Sequence, residues 1–61
     1  MWDKILYQKV RITKTDGFVK VGTLSGIEEN FVFLEYFDGR VVTIIKSEIN
    51  LIEPIKGGNY D

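Results

Sequence analysis

Between Val21 and Gly39 the chain reads VGTLSGIEENFVFLEYFDG, a run of extended character that carries Gly22 and Gly26 inside its first half. Glycine in a strand interior packs nothing and loses more backbone entropy than alanine, a cost of roughly 0.5–1 kcal/mol. A chain of 61 residues tolerates such costs poorly, because at this size only about 60% of the unfolded surface is buried on folding. Two glycines so placed therefore call for a sharp bend. A long strand that serves both halves of a strongly curved sheet needs such a bend.

The flanking sequence keeps a period of two, with Val10 and Ile12 facing one way and Lys9, Arg11 and Thr13 the other. Thr15-Asp16-Gly17 and Asp38-Gly39 are hairpin signals, since Asp and Gly tolerate positive φ. The pattern predicts strands from Val10, over Phe18–Ile27, Phe31–Phe37 and Val41–Ile45, a short turn at Lys46-Ser47-Glu48, and a last strand Ile49–Ile52 closed off before Pro54. Trp2–Gln8 reads as a short helical turn or arm packed on one end, and KGGNYD as a mobile tail. The expected organisation is an arm (1–8), one domain (9–54) and a tail (55–61). Five short strands joined by tight turns predict an all-β fold, a small, strongly bent, SH3-like or OB-like barrel.

Composition narrows the function. The chain has no cysteine and no histidine, which excludes disulfides and the usual zinc ligand sets and suits a reducing compartment. Ser25 and Ser47 have no candidate base, and GTLSG lacks the lysine and the following helix of a phosphate-binding loop. The expectation is a non-enzyme without metal or cofactor. Charged residues interrupt every apolar run, and Met1–Val10 has no apolar core, so neither a spanning helix nor a signal peptide is expected. The cytoplasm is the expected location. Eight basic and nine acidic residues give a net charge of −1, so a nucleic-acid site would have to be local.

The C-terminal half is too apolar for a barrel with one buried face. Phe31 and Phe33 share one side of their strand and Leu34 and Tyr36 the other; Val41, Val42, Ile44 and Ile45 are apolar on both sides, and Ile49, Leu51 and Ile52 follow. Such a surplus predicts a partner. The expected oligomer interface is Val41, Val42, Ile44, Ile45, Ile49, Leu51 and Ile52, with strand four of one copy beside strand five of the next. The alternative is a monomer in which Trp2, Leu6 and Tyr60 fold back over the surplus.

The order of these features resembles one family. Val10, Ile12, Gly17, Gly22, Leu24 and Glu28 stand where Sm-like (LSm/Hfq) proteins carry their first motif, and IIKSEINLIEP is similar to the second. The resemblance covers roughly residues 9–54. It implies the Sm variant of the SH3-like barrel, a homo-oligomeric hexamer or heptamer, and binding of single-stranded RNA. Carried over residue by residue, it implies an RNA-binding site of Asn30, Lys46 and Ser47 with Glu28 and Glu29 beside them. U-rich RNA is the expected ligand, since Asn30 can hydrogen-bond a pyrimidine edge and Lys46 can meet phosphate or a base carbonyl. Asn30 stands where Hfq proteins carry a stacking aromatic, and Lys46-Ser47 replaces the Lys-His or Arg-Gly pair of the second motif. Three other readings follow from the residues. The acidic Glu28-Glu29 pair suits a scaffold ring with a protein partner and no RNA. Tyr36, Phe37 and Trp2 could instead hold a peptide in an SH3-like interaction module. Lys9, Arg11, Lys14 and Lys20 form either a lateral phosphate patch or the solvated face of a sheet.

Overall fold

The computed structural model of the chain describes residues 2–55. A 3₁₀ turn (Trp2–Ile5) is followed by β1 (Lys9–Lys14), β2 (Val19–Ile27), β3 (Phe31–Glu35), β4 (Val41–Ile45), a second 3₁₀ turn (Lys46–Glu48) and β5 (Ile49–Pro54). The five strands make one antiparallel sheet in the order β4-β3-β2-β1-β5. Four boundaries differ from the sequence reading: β1 begins at Lys9, Phe18 belongs to the first turn, β3 stops at Glu35, and β5 runs on to Pro54. The tail from Lys56, with Tyr60, and the side chain of Trp2 lie outside the described residues.

The sheet has to curl. Laid flat, five strands would hold β4 and β5 about 19 Å apart, four spacings of roughly 4.8 Å. Yet only the Lys46–Glu48 turn joins Ile45 to Ile49, and four steps of chain reach about 14 Å at most. Curling brings both outer strands onto one core. Val10 and Ile12 of β1, Leu24 of β2, Val32 and Leu34 of β3 and Ile44 of β4 are buried, and Ile5, Ile49 and Ile52 pack against them. Each fully buried aliphatic side chain stabilises the fold by roughly 1.5–3 kcal/mol, and this small barrel-like core holds the chain together.

The two strand glycines have separate reasons. The β2–β3 ladder shifts register between Leu24 and Gly26, leaving Ser25 as an extra residue, which is the expected bend. Gly22 sits where a Cβ would come within 2.6 Å of the Glu35 carbonyl oxygen, and a Cβ on Gly26 would meet the Phe33 ring at 2.7 Å. At both positions the missing side chain permits close approach of β3. Neither glycine uses left-handed backbone, whereas Gly17 (φ 94°) and Gly39 (φ 93°) do.

Those last two glycines close matching hairpins. Gly17 N–H donates to the Lys14 carbonyl (2.9 Å) and Lys14 N–H to the Phe18 carbonyl (2.8 Å); Gly39 with Tyr36 (2.9 Å) and Tyr36 with Arg40 (2.7 Å) repeat the pattern. Each is a three-residue loop ending in a left-handed glycine. The hairpins fall where the turn signals place them, and the positive φ is taken by the glycine alone, neither aspartate having one. The carboxylates act instead, Asp16 accepting from Phe18 N–H (3.0 Å) and Asp38 from Arg40 N–H (3.1 Å).

At the other end the arm is stitched to β2. Tyr7 N–H donates to the Leu24 carbonyl (2.6 Å) and Leu24 N–H to the Gln8 carbonyl (3.0 Å). The turn into this contact sets Tyr7 at φ 69°, a conformation that disfavours any residue with a Cβ.

Candidate functional site: a rim between two turns and two open sheet edges

The two loops singled out in the sequence are far apart in the chain and adjacent in space. Glu28 N–H donates to the Phe31 carbonyl (2.8 Å), closing the β2–β3 turn, and Lys46 N–H donates to the Asn30 carbonyl (2.8 Å). Phe31 opposes Ile45 in the β3–β4 ladder, so Asn30 and Lys46 form its next rung. The ladder therefore fixes the Asn30–Lys46 neighbourhood by backbone. The side chains of Glu28, Glu29, Asn30 and Ser47 are exposed and Lys46 is half-buried.

Charge at this rim is mixed. The second 3₁₀ turn also meets the first hairpin, where Thr15 N–H donates to the Glu48 carbonyl (2.9 Å) and Lys14 Nζ lies 3.6 Å from Glu48. Glu28, Glu29 and Glu48 thus share the rim with Lys14 and Lys46, an acidic balance. The lateral basic patch does not form as one surface. Register puts Lys20 opposite the buried Ile12, on the core side of the sheet, while Lys9 and Arg11 lie on the outer side. Arg11 is also engaged by Glu53 at 2.8 Å.

The expected interface residues divide by face. Ile44 is 4% exposed and belongs to the chain's own core, against which Val42, Ile49 and Ile52 also pack. That leaves Val41 (54% exposed), Ile45 (49%) and Leu51 (50%) on the outer face. The surplus read from the sequence is real on one face and already used on the other.

Both outer strands keep an open edge, since among the described residues no ladder joins β4 to β5. Antiparallel strands alternate pairs that exchange hydrogen bonds with pairs whose backbone groups point away. The Tyr36–Arg40 and Asn30–Lys46 bonds fix this alternation on β4, so Val41, Thr43 and Ile45 aim N–H and C=O outward. On β5 the bond from Ile55 N–H to the Lys9 carbonyl (2.8 Å) sets it, so Ile52 and Pro54 face outward. Pro54 is tolerated because its missing N–H would not have reached β1.

A groove on the outer face was not legible in the sequence. Lys9, Val21, Gly22, Thr23, Glu35 and Phe37 line an open groove of about 300 Å³ on the outer face of β1–β3. Its residues come from three strands and a hairpin, so no local spacing announces it. Among the described residues no group of His, Cys, Asp and Glu could hold a metal ion, and no helix is long and apolar enough to cross a membrane. No family model, no curated protein and no solved structure matches this chain.

Proposed function

We propose that this chain is an Sm-like module that assembles into a closed homo-oligomeric ring and binds single-stranded, U-rich RNA where Asn30 meets Lys46. The observation that carries the reading is the bond between Lys46 N–H and the Asn30 carbonyl, which sets an amide beside an ammonium-bearing side chain on one rim. An amide can hydrogen-bond a pyrimidine edge, and an ammonium can meet phosphate or a base carbonyl. Ser47 adds a hydroxyl next to them. One such contact is weak, about 1–3 kcal/mol per base; repeated around a ring, the contacts act together on one strand. The bent β2 and the short turn before β5 support the same family reading.

Assembly follows from the edges. Residues that face outward on β4 carry their side chains on the outer face, whereas Ile52 and Pro54 on β5 carry theirs on the core face. Partners in a hydrogen-bonded pair share a face. A β4–β5 ladder between copies therefore sets Val41 and Ile45 on the same side as the neighbour's Ile52 and shelters them. A β4–β4 ladder would instead join two exposed apolar faces. The head-to-tail contact is the one that buries the surplus, and such contacts close into a ring when the rotation between copies suits.

One observation favours a second reading. Three carboxylates, Glu28, Glu29 and Glu48, stand on the proposed RNA rim, which suits a scaffold ring that holds a protein partner. Light scattering is expected to give a mass several times 7.0 kDa, and a lone 7.0 kDa species would remove the ring. Oligo-U binding that weakens about tenfold in Asn30→Ala and Lys46→Ala supports the RNA reading. Wild-type affinity in both variants would reject the site, and a ring that ignores RNA would leave the scaffold.

A further inference from the structure

The outer-face groove presents three features that nothing in the fold requires. Phe37 is entirely exposed (103%) on the β3–β4 hairpin, whose next turn residues are tied by an Asp38–Arg40 ion pair at 2.9 Å. An exposed phenylalanine held on such a hairpin adds nothing to the core. Glu35 and Lys9 both line the groove, and among the described residues neither side chain has a hydrogen-bond or ion-pair partner. Between them lie Val21 and the hydroxyl of Thr23. The volume, about 300 Å³, is at the small end of ligand sites, which run from roughly 300 to 1,000 Å³.

The charges specify the occupant. An ionised carboxylate only accepts hydrogen bonds, so Glu35 calls for an edge carrying donors. An aromatic face and an apolar wall call for something flat, and Lys9 calls for a negative substituent. An arginine-bearing peptide would satisfy Glu35 and the Phe37 ring but would be repelled by Lys9. Uracil and adenine each present an acceptor beside their donor. Guanine alone among the common bases offers two adjacent donors, N1–H and the N2 amine, matched to both oxygens of one carboxylate. We infer that the groove formed by Lys9, Val21, Thr23, Glu35 and Phe37 is a guanine-binding site for single-stranded RNA. The base stacks on Phe37, its donor edge meets Glu35, and its phosphate meets Lys9. This site is separate from the Asn30–Lys46 rim and does not depend on the ring.

The test uses the full chain and short RNA oligonucleotides, with amide chemical shifts and binding curves as readouts. A U₅-type oligonucleotide with one central guanosine is expected to shift the amides of Thr23, Glu35 and Phe37. The inosine version, which lacks the N2 amine, and the adenosine version are expected to bind those residues about tenfold more weakly, the discrimination of a lost bidentate contact. Glu35→Gln should erase the preference for guanosine over inosine, and Phe37→Ala should weaken all three. Phe37 is fully exposed, so its truncation leaves the core intact. The Asn30→Ala/Lys46→Ala double variant is expected to keep the guanosine-dependent shifts even if oligo-U binding is absent, which separates this site from the rim. Equal binding of guanosine and adenosine oligonucleotides overturns the proposal. So does an unchanged guanosine preference in Glu35→Gln, or loss of the shifts in the double variant. Free guanosine monophosphate that binds while the oligonucleotide does not would overturn RNA as the source, and shifts from an arginine peptide alone would overturn the base.

Discussion

The two open edges of the sheet are unequal. Along β4 the residues Val41, Thr43 and Ile45 each offer both a donor and an acceptor, and Val41 and Ile45 add exposed apolar side chains. Along β5 Pro54 has no donor to offer, and the β1–β5 ladder shifts register between Thr13 and Lys14, leaving Asn50 without an opposite partner. Proline and a bulge are the devices by which sheets blunt an edge. One edge is a template for another strand, and the other admits a short segment around Ile52. An unequal pair favours head-to-tail contact in one register over open-ended stacking in several.

The largest effect should separate the two faces of β4. Ile44→Ala removes a side chain that is 4% exposed and is expected to cost about 2–5 kcal/mol in chemical denaturation. Its neighbour Ile45→Ala, 49% exposed, should change monomer stability far less while lowering the assembled fraction at a given concentration. If the two variants lose equal stability without a change of mass, the division of the strand into core and contact faces is wrong. Thr43→Pro probes the edge itself, because the lost N–H points away from β3 and proline is tolerated on an open edge. It should leave a folded chain whose light-scattering mass drops to that of one copy, whereas an unchanged mass would show that β4 is not the contact. The mildest change is Pro54→Val, which restores a donor to β5. Stability of the single chain should stay within about 0.5 kcal/mol, and sedimentation should show larger or less uniform assemblies. Uniform assemblies of the original mass would mean that Pro54 does not limit the pairing.

The rim and the edges were legible to different degrees. Asn30 and Lys46 are named through the family resemblance, the turn signals only setting each at a strand end, and β4 appears over the expected residues. That they form successive rungs was not readable, since it depends on the β3–β4 register. The apolar residues of β4 and β5 could be divided by face only in part, for a similar reason. Alternation shows that both faces of β4 are apolar, yet Val42 and Ile44 are chosen for the core only once they stand opposite Leu34 and Val32. The basic patch failed at Lys14 and Lys20. Counting charges along the chain took no account of which face each one occupies, and Lys20 falls opposite Ile12.

Local chemistry along the chain was enough to determine an all-β domain, its turns and the place where β2 must bend. Strand alternation, turn glycines and a strand-ending proline act over a few residues and need no distant partner. Only the folded sheet decided which apolar side chains are spare, which backbone groups face outward, and that Lys9, Glu35 and Phe37 share a groove. Those properties depend on the register between strands and on the curl that brings β4 and β5 to one core, and both arise from contacts between residues remote in sequence.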